Sequence, residues 1–155
     1  MLVELRIGAL IMDPNSNSPI VVLRGVDSEA VLPIWVGAFE ANAIAMEIEK
    51  IVPQRPMTHD LLRNIVTELG ITVSRVVITE LRDNTFYATV DMRDEAGRLI
   101  TLDARPSDAI ALALRADCAI FAEQDVIDTS TTTGKSPLAD EDAERAPDEW
   151  PEVIG

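Results

Sequence analysis

Two short segments gather most of the groups capable of chemistry. Arg55-Pro56-Met57-Thr58-His59-Asp60 sets a guanidinium, a hydroxyl, an imidazole and a carboxylate at the head of an apolar run with helical spacing. Helix N-termini attract phosphate and histidine titrates near neutrality, so Arg55 and Thr58 suit anion binding while His59 and Asp60 suit proton transfer. Asp103-Ala104-Arg105-Pro106-Ser107-Asp108 puts two carboxylates around an arginine at a second strand-to-helix junction. Paired carboxylates can hold Mg²⁺ or Mn²⁺, and an arginine can pair with a phosphate. Glu40, in the first turn of a helix that opens after Gly37, is a third candidate carboxylate. Tyr87, in Asn84-Thr85-Phe86-Tyr87-Ala88, points to the opposite strand face from Phe86 and could stack on a base or pack at a subunit contact.

Each group also has a plainer reading. Thr58 and Asp60 can cap a helix, and so can Ser107. Glu40 and Asp108 can complement helix dipoles, and Arg105 can bridge to Asp103. The residue types alone leave both readings open. One histidine and one cysteine, Cys118, exclude a histidine-rich metal site, a Cys/His metal framework and an internal disulfide. No GxGxxG, P-loop or HExxH pattern is present, so no organic cofactor is expected.

The elements that must carry these residues are readable from their periods. Val3, Leu5, Ile7, Ala9 and Ile11 alternate with other residues and predict a strand with one buried face. Asp13 to Pro19 is turn-rich, and short apolar strands follow at 20–23 and 31–36. Residues 38–50 and 58–69 predict helices, the second with Thr58 as N-cap and Gly70 as its stop. Strands at 73–81, 86–93 and 99–103 predict an antiparallel sheet, followed by a third helix from Ser107 to about Arg115 and a strand at 119–122. The expectation is one α+β domain over residues 1–127, a mostly antiparallel sheet with about three helices packed on it. A polar and acidic tail, expected to be disordered, spans 128–155.

Composition bounds what such a domain can do. Hydrophobic residues are 47% and aromatics only 4%, so the core must be aliphatic. No stretch is long and apolar enough for a membrane span, and the alternating start lacks a signal-peptide core, so a cytoplasmic protein with no membrane partner is expected. The net charge is −14; eight acids against Lys135 and Arg145 from Asp128 onward leave −8 for residues 1–127. An acidic surface repels nucleic-acid phosphates, so binding DNA or RNA requires locally concentrated arginines or bound cations.

As an ordered set these blocks resemble the bifunctional nuclease family of bacteria and plants. The matching segments are Leu32-Pro33-Ile34-Trp35-Val36-Gly37, Glu40-Ala41, Arg55 to Leu61, Leu69-Gly70, Thr85 to Ala88, and Asp103 to Ala113. The resemblance implies an α+β fold, a homo-oligomer with a dimer as the simplest form, and cleavage of both DNA and RNA. The resemblance supplies motif positions and not roles; the chemistry of those residues gives the expectation that Glu40, Asp103 and Asp108 would place a divalent cation, His59 with Asp60 would move protons, and Arg55 and Arg105 would hold the scissile phosphate, with Thr58 and Tyr87 as further substrate contacts. The rival expectation is a non-catalytic, oligomeric binding or regulatory module whose charged residues serve as caps and internal ion pairs. The nuclease expectation requires residues distant in sequence to converge in space.

Overall fold

The computed structural model describes residues 1–132, as seven strands and four helices. The chain opens with β1 (Leu2–Asp13), β2 (Ser18–Gly25) and β3 (Val31–Trp35), an antiparallel meander. Helices α1 (Ala38–Ile48) and α2 (Thr58–Glu68) follow, then the antiparallel strands β4 (Thr72–Arg82), β5 (Thr85–Arg93) and β6 (Leu99–Ala104). Helix α3 (Pro106–Ala116), β7 (Ala119–Glu123) and α4 (Gln124–Thr132) complete the described residues.

All strands join one sheet in the order β3-β2-β1-β7-β4-β5-β6. The late strand β7 welds the two meanders together, antiparallel to β1 and parallel to β4. The sheet is therefore mixed, with one parallel pair among antiparallel ones. Helix α3 is the hub of the helical layer, packing on α1 and α2 and on β4 and β5 beneath. The aliphatic core expected from the composition is present: Val21, Leu23, Leu32, Ile44, Val76, Ile78 and Ile110 are fully buried in one cluster.

Three local expectations are corrected. The described residues form four helices, not about three: α4 forms across the expected boundary at residue 127, where Val126 and Ile127 dock into the core. The strict alternation of β1 fails after Ile7, where a bulge at Gly8 shifts the register and sends Leu10 inward. A Cβ on Gly8 would collide with the Arg24 side chain, which lies over the bulge. Thr58 is not the cap of α2; Met57 occupies the N-cap, and the Asp60 carboxylate reaches back to accept from the Met57 N–H at 2.9 Å. The expectation of disorder for residues 133–155 lies outside the described residues.

Candidate functional site

A cleft of about 640 Å³ opens where the N-terminal turns of α1, α2 and α3 meet. It is lined by Glu40 from α1, Thr58 and His59 from α2, Arg105 and Asp108 from the start of α3, and Arg115 from the end of α3. Local sequence explains the convergence. Pro106 begins α3 at its first helical position, where a missing N–H costs nothing, and so fixes Arg105 and Asp108 on the first turn. Gly37 opens α1 with the Glu40 carboxylate folded back so closely that a Cβ at Gly37 would clash with it.

At the centre is Asp108. Its Oδ1 accepts a hydrogen bond from His59 Nε2 at 2.9 Å, and its Oδ2 accepts one from Arg105 Nε at 2.8 Å. Burial alone would raise the Asp108 pKa, but the hydrogen bonds and charges of Arg105 and His59 outweigh it and hold the carboxyl below the usual range. An ionised carboxylate only accepts, so His59 Nε2 is the donor of this hydrogen bond. His59 is the only buried residue of α2, with its side chain 11% exposed. Arg105 is 65% exposed, and its Nη2 lies 3.8 Å from Glu40 Oε2, too far for a hydrogen bond. Its terminal nitrogens make no hydrogen bond among the described residues, Nη2 being ion-paired with Glu40, and the Asp108 carboxylate raises the guanidinium pKa.

Asp60 serves differently. Its Oδ1 accepts from Arg115 Nε at 2.8 Å while its Oδ2 takes the Met57 N–H. Burial works against its ionisation, but the Met57 N–H, Arg115 and Arg63 together hold its pKa below the ordinary value. With both oxygens committed, Asp60 fixes the α2 N-terminus rather than handling substrate protons. Arg115 is its counterpart: a 3% exposed guanidinium that also donates to the carbonyls of Ala111 and Ala43. Sequence reasoning passed over Arg115. The available signal was a charge on the buried stripe of α3, four residues after Ala111.

Asp60 does not line the cleft, and three further candidates are not brought to it. Asp103 pairs with Thr89 across β5 and β6, on the sheet face opposite the Ala88, Val90 and Met92 side chains that join the core. Tyr87 shares that far face, its ring covered by Arg82 at 4.9 Å. Arg55 is exposed in the loop between α1 and α2. Glu40, Asp103 and Asp108 thus do not fit a shared divalent cation: Asp103 is across the sheet, and the other two flank Arg105. Among the described residues no group of three His, Cys, Asp or Glu side chains has a metal-binding arrangement. No helix among them is long and apolar enough to cross a membrane.

The sequence pattern of the bifunctional nuclease domain matches residues 21–134, which includes every element that lines the cleft. Two curated relatives, each named an uncharacterized protein and each from a strain of Mycobacterium tuberculosis, are 39% identical to the chain over 124 residues. The alignment covers 80% of this chain and 73% of each relative. The matched range takes in the Trp35–Glu40, Thr58–Asp60 and Arg105–Arg115 segments and most of the chain, and on that ground the chain belongs to the bifunctional nuclease domain family.

Proposed function

We propose that the protein hydrolyses phosphodiester bonds of DNA and RNA in the cleft between α1, α2 and α3, and that it does so as a cytoplasmic homodimer. The observation that carries the catalytic part is the Asp108 carboxylate, which grips His59 on one oxygen and Arg105 on the other. A proton-transfer group and a phosphate-binding group are thereby fixed side by side.

DNA lacks the 2′-hydroxyl, so a reaction common to DNA and RNA uses water as nucleophile. His59 Nδ1 takes a proton from that water as its oxygen bonds to phosphorus. The bond from phosphorus to the leaving oxygen breaks, and the imidazolium returns the proton to that oxygen. One water is added, giving a phosphate monoester and a free hydroxyl. Asp108 orients the imidazole and stabilises its cationic form, while the Arg105 N–H groups hold the non-bridging oxygens as charge builds on them. No step is routed through a metal, because the carboxylates do not fit a shared cation.

Support for the dimer comes from α2. Leu61, Ile65 and Leu69 follow one another at four-residue spacing and are 53%, 46% and 67% exposed. Such a stripe on a helix is the form an isologous contact takes. The same stripe favours the second reading, an oligomeric binding module without catalysis, and a cleavage assay separates the two. Labelled single-stranded DNA and RNA are incubated with wild type and Arg105→Ala at equal purity, beside an active control nuclease. Cleavage by wild type, reduced at least roughly a hundredfold in the variant, is the expected result. Intact substrates in both lanes would leave only the binding module.

A further inference from the structure

Arg105 borders a second cleft. A cavity of about 400 Å³, with Arg105 but not His59 among its walls, lies between the end of β3, the β4–β5 turn and the first turn of α3. Trp35, Asn84, Phe86, Arg105 and Ser107 are among its walls. The sheet must curl for this to happen, because β3 and β5 have β2, β1, β7 and β4 between them in strand order. Asp83 and Asn84, with φ of 52° and 62°, form the tight turn that carries Asn84 and Phe86 to the cavity.

We propose that this cavity is the nucleobase subsite next to the scissile phosphate, and that the substrate strand must present an unpaired base. The inference rests on the phosphodiesterase reading of the adjoining cleft and names what that site selects. Three observations carry it. First, among the described residues Arg105 is the only charged one in the walls, in a chain of net charge −14, so the cavity is matched to a neutral group attached to an anion. Second, Trp35 stands on the edge strand 40% exposed, a large aromatic surface held ready. Its indole Nε1 donates to Asp13 Oδ2 at 3.0 Å, which locks the ring, and Asp13 is itself braced by the Asn15 N–H and the Ser16 hydroxyl. Third, the polar wall groups, Asn84 and Ser107, offer both donors and acceptors, as recognition of a base edge requires.

Size excludes a duplex. A cavity of about 400 Å³ admits a single nucleoside, and a base within a stacked pair cannot enter it. A strand crossing Arg105 places its phosphate on the guanidinium, its scissile bond toward His59 and its neighbouring base on Trp35. Aromatic stacking tolerates every base, so the subsite selects single-strandedness rather than sequence.

The test uses the full chain carrying Trp150→Phe, which leaves Trp35 as the sole tryptophan. Its fluorescence is followed during titration with a single-stranded hexanucleotide, the corresponding duplex, and an abasic hexanucleotide with the same phosphates. The proposal expects quenching by the single strand and by neither other ligand. Trp35→Leu should weaken binding of a labelled single strand roughly tenfold by anisotropy, with Trp35→Tyr restoring most of it. Equal binding of abasic and normal strands, or an unchanged Trp35 signal on strand binding, would overturn it. Failure of the two readings is distinguishable. A strand that quenches Trp35 but is never cut removes the nuclease and keeps the subsite. A strand that is cut while Trp35 stays silent removes the subsite alone.

Discussion

Helix α3 carries an arginine at each end, and the two live in opposite circumstances. Arg115 is 3% exposed, with its donors spent on the Asp60 carboxylate and the carbonyls of Ala111 and Ala43. Arg105 is 65% exposed, anchored through Nε to Asp108, with its terminal nitrogens engaged only by a longer ion pair to Glu40. One guanidinium ties three helices together, and the other is held by one edge and offered to a ligand by the rest. The lesson is that the placement of donors, more than the presence of charge, separates a structural arginine from a binding one.

The largest effect should come from breaking the structural end. Arg115→Met leaves Asp60 half-buried without its partner and should cost about 3–5 kcal/mol, read by urea unfolding. Next is the binding end. Arg105→Ala should abolish most cleavage yet change stability by less than about 1 kcal/mol, since its ion pairs are solvent-exposed. If instead Arg105→Ala unfolds the protein and Arg115→Met only slows it, the contrast is reversed.

Asp60 sharpens the structural side through pH. Its folded pKa lies below the ordinary aspartate value of about 3.9, so the unfolded chain takes up the proton first as pH falls. The stabilisation is complete above that ordinary value and is lost as pH drops through the lowered folded pKa. Wild type should therefore exceed Asp60→Asn in stability at pH 6, with the gap closing below about pH 4. A gap that stays constant from pH 6 to 2 would show that the Asp60 charge contributes nothing. A smaller change is expected on α2. Ile65→Lys should shift sedimentation from dimer to monomer while leaving the fold within about 0.5 kcal/mol, as for other surface substitutions. Unchanged mass would remove that stripe from the dimer contact.

Much of this architecture could be read from periodicity, and its failures have physical causes. The seven strands and first three helices follow from apolar spacing, which is a local signal. Helix α4 was hidden because Asp128 to Thr132 resembles a polar linker; only the docking of Val126 and Ile127 makes it a helix. The insertion of β7 between β1 and β4 leaves no local trace. For the site, both charged junctions were recognisable, yet the bond between His59 and Asp108 spans 49 positions and only tertiary packing makes it. Asp103 and Asp108 looked like one cluster. The strand pleat sends Asp103 to the far face before Arg105-Pro106 turns the chain, so five residues of separation become two sides of a sheet. Arg115 escaped notice because its neighbours are apolar, although that setting is what a buried guanidinium with fixed partners looks like.

That separation supplies the most direct test of the central claim, that cleavage occurs in the cleft of His59, Asp108 and Arg105. Initial rates on single-stranded RNA and DNA are compared for wild type, His59→Ala and Asp103→Asn from parallel preparations. The account predicts a loss of at least roughly a hundredfold for His59→Ala, within the range for a general acid–base group, and a rate for Asp103→Asn within about twofold of wild type. An Asp103→Asn protein that is folded but inactive, beside a His59→Ala protein that still cuts, would place the chemistry on the opposite face of the sheet and contradict it.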